Sequence, residues 1–227
     1  CLTGQIPLLD DPLEVAHIRE RLARLYIDKG AHHEAFDEIA LAADVRVGAA
    51  SIQACLFDLV STDVREEACA LLERVLIETE ESNSLAVLYD MMLEGLEGSE
   101  QRAALSEKLG VLKQEKLSDP PGALQSFVET LVFRPEDDDI HTIVKELALF
   151  TENLEALRNA YERLAIGGPD MPENADVALK YSDHLVDLLD AEFDDLLGVR
   201  RVIEDASALH GDSLPRLGRL EACLSRL

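Results

Sequence analysis

The chain is punctuated at short, regular intervals, and this rhythm limits its folds more than any other feature. Breaks fall at Asp10-Asp11-Pro12, Gly30, Gly48, Ser61-Thr62-Asp63, Ser82-Asn83, Gly98-Ser99, Asp119-Pro120-Pro121 and Pro135. They continue at Thr151-Glu152-Asn153, Gly167-Gly168-Pro169 and Gly211-Asp212-Ser213. The segments between them run mostly 12–19 residues, too long for strands, and none alternates apolar with polar residues. Apolar residues step at helical spacing instead: Ile18, Leu22, Leu25 and Tyr26; Leu105, Leu109 and Leu112; Leu124, Phe127, Val128 and Leu131; Val177, Tyr181, Leu185, Leu188 and Leu189.

Start and stop signals agree with this reading. Asp11 before Pro12, with Glu14 three positions on, is a helix N-terminus, and Asp119-Pro120 repeats the device. Asp63 with Glu66 reads as another capping pair, and Gly30 suits a left-handed helix end. About twelve helices are expected, at 13–29, 32–45, 48–60, 64–79, 83–97, 99–117, 120–133, 137–150, 152–165, 173–191, 194–209 and 213–226. Short connections force antiparallel neighbours. Residues 1–12 form an N-terminal segment and 13–227 a helical repeat domain, with a joint expected at 167–172.

Comparison of the chain with itself shows repetition. A shift of 76 brings Gly122 onto Gly198, Asp119 onto Asp195, Leu109 onto Leu185, Leu112 onto Leu188 and Phe127 onto Ile203. The run Leu22-Ala23-Arg24-Leu25-Tyr26 with trailing Gly30, followed by Ala35, Ile39 and Ala42, resembles the tetratricopeptide repeat, a helix–turn–helix unit. Leu109-Gly110, Ala123, Phe127 and Pro135 form a second match, with Thr130 where Ala is usual and a turn one residue longer. Ile143, Leu147, Ala156 and Ala160 form a third, and Leu185, Val199, Ile203 and Ala206 a fourth with Val and Ile replacing Ala and Phe. The family's Trp is absent, and the pairing register within 46–97 is ambiguous. The resemblance implies an all-α, right-handed αα-superhelix of about twelve antiparallel helices, belonging to a longer array. It also implies a concave groove, lined by first helices, that holds a partner's peptide segment.

The repeat register projects His17, Glu20, Arg24 and Asp28 toward that groove, then Glu107, Gln114 and Glu115, His141 and Lys145, and Lys180, Asp183 and Asp187. Acidic residues outnumber basic ones, so a basic or amphipathic protein segment is the expected partner. With 21 basic against 46 acidic residues the net charge is −25, which repels phosphate and argues against nucleic-acid binding. No stretch approaches the length of an uncharged membrane span.

Catalytic signals are weak. Asp137-Asp138-Asp139 with His141 has the types of a metal cluster, yet adjacent helical residues diverge, and carboxylates at a helix start serve as caps. Asp194-Asp195 reads the same way. His32-His33 reads as solvated turn residues and His184, beside Asp183 and Asp187, as part of a solvated helix face. No phosphate-loop, dinucleotide or nucleophile-elbow motif is present, so no cofactor and no metal are expected. The reading is therefore a non-catalytic interaction scaffold. Its alternatives are a structural spacer that self-associates through terminal helices, the last of which ends in an apolar Leu224-Ser225-Arg226-Leu227, and a carboxylate-metal hydrolase.

Cys1, Cys55, Cys69 and Cys223 lack Cys-x-x-Cys spacing, and Cys55 and Cys69, among Leu, Ala and Val at helical spacing, read as buried free thiols, which fits a reducing, cytoplasmic compartment. The chain opens on Cys1, so a lipid-anchored or periplasmic form is an alternative. The short run to Asp11 favours instead a segment of a longer polypeptide.

Overall fold

The computed structural model describes residues 11–96, 98–210 and 214–227. Cys1, most of the N-terminal segment and Gly211-Asp212-Ser213 lie outside them. All regular structure among the described residues is helical. The twelve helices are α1 (Pro12–Ile27), α2 (His32–Ala43), α3 (Ala50–Leu59), α4 (Arg65–Glu78), α5 (Ser82–Glu94), α6 (Ser99–Glu115), α7 (Pro120–Phe133), α8 (Asp138–Phe150), α9 (Leu154–Leu164), α10 (Ala175–Ala191), α11 (Leu196–His210) and α12 (Leu214–Arg226). They fall into two compact units, Cys1–Gly95 and Leu96–Leu227. The 167–172 stretch lies inside the second unit, where the backbone N–H of Asp170 donates to Arg163 and the Asp170 carboxylate pairs with the Arg163 guanidinium.

Local chemistry starts the helices where expected. The Asp11 carboxylate accepts from the Leu13 N–H, Asp119 from Gly122, Asp137 from Asp139 and Ile140, and Asn153 from Ala156. The aspartate run at 137–139 is thus anchored by a cap. Asp63 departs from expectation: Val64 occupies the N-cap of α4 with no side-chain bond. Asp63 instead accepts from His32 at 2.7 Å and lies 3.4 Å from His33. The two histidines therefore tie the start of α2 to the α3–α4 connection, and His32 is not simply a solvated turn residue.

In the first unit α1 packs on α2 and α3, α2 on α3 and α4, and α4 on α3 and α5. Ala23, Ala35, Ile39 and Ala42 are sealed between them, small residues bringing the helices close and Ile39 filling the gap. Leu25 is the exception in the predicted stripe and faces solvent.

In the second unit each helix packs on the next, and α7 also packs on α9. The fully buried Phe127 ring lies against Gly110, where an added Cβ would stand 2.9 Å from it. Burying a ring of that size contributes about 2–3 kcal/mol. At the positions shifted by 76, Val186 stands for Gly110 and Ile203 for Phe127, and both are buried.

The shift of 76 has a structural counterpart in two turns. The C-cap N–H of α6 at Lys116 donates to Leu112, and that of α10 at Glu192 to Leu188. Ser118 and Asp194 both have positive φ, 52° and 49°. Asp119 N–H donates to Lys113 O and Asp195 N–H to Leu189 O. Each carboxylate then accepts from the glycine three residues on, at 3.0 Å for Gly122 and 2.9 Å for Gly198. A second periodicity joins alternate helices: Arg24 of α1 pairs with Asp58 of α3, and Arg163 of α9 with Glu129 of α7, each across 34 residues.

Cys55, Cys69 and Cys223 are free and buried, and burial pushes the Cys55 and Cys69 thiols above their ordinary range. No helix among the described residues is long and apolar enough to cross a membrane.

Candidate functional site

The α1 residues picked out from sequence meet α3 through charge. Glu20 is buried and accepts from Arg46, in the α2–α3 connection, and from the Ser51 hydroxyl at 2.6 Å. Arg46 also reaches His17 Nδ1 at 2.9 Å, so His17 and Glu20 share one guanidinium. One turn on, Arg24 holds Asp58. Asp28 is the exposed C-cap residue of α1. A buried carboxylate needs this compensation, because its desolvation is otherwise costly. The seam between the two helices is thus closed by the protein's own ion pairs.

The second unit joins α8 to α10 differently. His141 on α8 and His184 on α10 stack with ring centroids 4.8 Å apart. Tyr161 of α9 and Tyr181 of α10 complete a four-ring cluster in which every centroid pair lies within 6.0 Å. His141 Nε2 and the Tyr161 hydroxyl hydrogen-bond at 2.7 Å, and Tyr181 donates to Pro135 O at 2.8 Å. His184 Nε2 is buried and has no hydrogen-bond partner among the described residues.

Burial, then the charges of His184, Lys180 and Lys145, bring His141 down to about 4. Burial and Lys180 lower His184 as well. Burial lifts Tyr161 to about 12 and raises Tyr181. The four rings are therefore uncharged at neutral pH. His184 does not lie on a solvated face: α8 covers one side of its ring, a contact invisible from its sequence neighbours.

The other predicted residues of this unit are mostly held internally. Glu107 pairs with Arg134 at 2.7 Å, and Arg134 also holds Glu100. Lys180 bonds Asp138, which depresses that carboxylate. Asp187 lies 3.2 Å and Asp183 3.9 Å from Arg219 of α12. Glu115 and Lys145 are exposed. Gln114 has a different setting: it lines an open cavity of about 500 Å³ with Pro120 of α7 and Ile143, Glu146, Leu147 and Phe150 of α8.

Those four α8 residues recur at i, i+3, i+4 and i+7, so they share one face of the helix. Phe150 is 75% exposed, the largest exposure among the described large apolar side chains. The register projection named His141 and Lys145 on α8, whereas the cavity is lined from the face that carries Ile143 and Phe150. The available signal was Leu149-Phe150 standing directly before the polar Thr151-Glu152, an apolar pair too close to a helix end to be fully covered.

No protein-family model and no curated protein matches the chain. Among the described residues no three His, Cys, Asp or Glu side chains are grouped to hold a metal ion.

Proposed function

We propose that this chain is a non-catalytic protein-interaction scaffold built from stacked, antiparallel tetratricopeptide-like hairpins, and that it binds a segment of another protein on its first-helix faces. The observation that carries the reading is the uncovered apolar cavity between the end of α6 and the face of α8, with Phe150 at its edge. Exposed apolar surface of this kind marks interaction sites, and covering one aromatic ring contributes about 2–3 kcal/mol to a complex.

Three further features support it. The α6–α7 and α10–α11 turns share their hydrogen bonds at a shift of 76, and ion pairs join alternate helices across 34 residues. The third is that Ala and Gly line the helix crossings. The reading is tested by selection from a randomised peptide library displayed on phage against the immobilised chain. Convergence on a shared motif that binds the folded chain supports it. Failure to enrich any sequence above a heat-denatured control contradicts it.

The spacer reading has its own observation: Leu217, Leu224 and Leu227 of α12 and its C-terminal end are exposed, as are Leu197 and Leu209 of α11. Light scattering over a dilution series separates the two. A mass that rises with concentration, and that Leu224→Glu abolishes, favours self-assembly. A constant monomer mass favours the scaffold.

A further inference from the structure

The cavity at α8 also carries information about what fills it. Three of its lining residues, Ile143, Leu147 and Phe150, are bulky and apolar, and Pro120 adds an apolar ring on the α7 side. Leu147 is buried while Phe150 stands out in solvent, so the cavity has an apolar floor and an apolar rim. Val111 lies one turn before Gln114 on the same face of α6 and is also exposed, extending the surface along that helix.

The lining holds a single charged group, Glu146, and it has no ion-pair partner among the described residues. That sets it apart from Glu107, Asp183 and Asp187, each beside an arginine of this chain. Glu115, next to Gln114, also has no ion pair among the described residues. The lysines nearest in sequence, Lys113, Lys116 and Lys145, are not among the lining residues. Lys145 lies beside the His141–His184 pair, about 100° around the helix from Glu146. An uncompensated carboxylate at an apolar cleft, in a chain of net charge −25, complements a cation.

We infer that the α6–α8 cavity takes a protein segment that inserts one bulky apolar side chain, aromatic or leucine, between Ile143 and Phe150 and sets a neighbouring Lys or Arg against Glu146. This rests on the scaffold reading and adds to it the site and the chemistry of the occupant. The apolar anchor provides most of the affinity, and the cation sets orientation and approach.

The test uses peptides recovered from the randomised library, titrated by fluorescence anisotropy into the full chain and its variants. Phe150→Asp removes the rim without touching the core, because the ring is mostly exposed. It is expected to weaken binding by about tenfold or more. Glu146→Lys is expected to weaken it by about threefold to tenfold and to flatten its salt dependence. Circular dichroism of both variants checks that the helices persist.

Recovered peptides that share an apolar–basic pair and lose affinity in both variants support the inference. Peptides that bind the variants as well as the parent chain overturn the site while leaving the scaffold reading intact. An acidic or uncharged consensus overturns the cation. If no peptide is recovered, both the inference and the scaffold reading fail.

Discussion

The two compact units join alternate helices by opposite chemistries. Between α1 and α3 the seam is ionic: Glu20 is buried against Arg46 and Ser51, and Arg24 holds Asp58. Between α8 and α10 it is aromatic and uncharged, with His141 stacked on His184 over Tyr161 and Tyr181. Small residues at the crossings fix how closely helices approach, but the side chains that finish a seam are free to vary. The ionic seam leaves this face of α1 occupied by internal partners. In the second unit the aromatic cluster takes up one side of α8, and the opposite side, with Ile143 and Phe150, is left open.

The largest effect should come from breaking the ionic seam. Glu20→Ala strands the Arg46 guanidinium and the Ser51 hydroxyl, and should cost about 2–3 kcal/mol in urea unfolding followed by circular dichroism. Replacing Glu38, which meets Arg19 at a more open position, should cost about 1 kcal/mol or less. Equal losses at the two sites would show that the buried network has no special role.

The aromatic seam should respond to acid instead. His141 is held near 4 in the folded chain against 6.5 when unfolded, and His184 is lowered too. The unfolded chain therefore binds more protons between these values. The seam's contribution is complete above pH 6.5, shrinks as pH falls toward 4, and levels off below. The groups facing the pair moderate this: Lys145 and Lys180 oppose protonation, and Asp138, Asp183 and Asp187 favour it. Because both rings are only partly buried, screening reduces the loss to about 1–2 kcal/mol. In His141→Phe/His184→Phe, thermal unfolding between these pH values should show a shallower loss. An unchanged slope would place the acid sensitivity elsewhere.

Smaller still, and a check on the repetition itself, are the paired caps. Asp119→Ala and Asp195→Ala should each cost about 1 kcal/mol, the two values agreeing because the turns share every hydrogen bond described above. A cost at one site and none at the other would mean that the equivalence is confined to geometry.

Features set by local chemistry could be read from the sequence. Helix positions follow from apolar spacing, and the caps at Asp11, Asp119 and Asp137 need only their own next turn. The equivalence of Asp119 with Asp195 follows from the shift of 76. Contacts between distant segments could not be read this way. Asp63 looked like a cap because Glu66 stands three residues on, but His32 and His33 arrive from the start of α2 to claim it. His184 looked solvated because Asp183 and Asp187 flank it, while its stacking partner lies 43 positions back, on α8. On α8 the projected register chose His141 and Lys145. The open face belongs to Ile143, Glu146 and Phe150, since which side of a helix stays uncovered depends on its neighbours.

On the proposed reading, the partner-binding face lies on α6 and α8 of the second unit and not along the ionic seam of the first. It is tested most directly by NMR of the chain, isotope-labelled at backbone amides and at Ile, Leu and Val methyls, while a recovered peptide is added. Shifts are expected to concentrate at Val111, Gln114, Ile143, Leu147 and Phe150, with α1 and α3 undisturbed. Shifts concentrated at Glu20, Arg24 and Ser51, or spread evenly over all twelve helices, would contradict it.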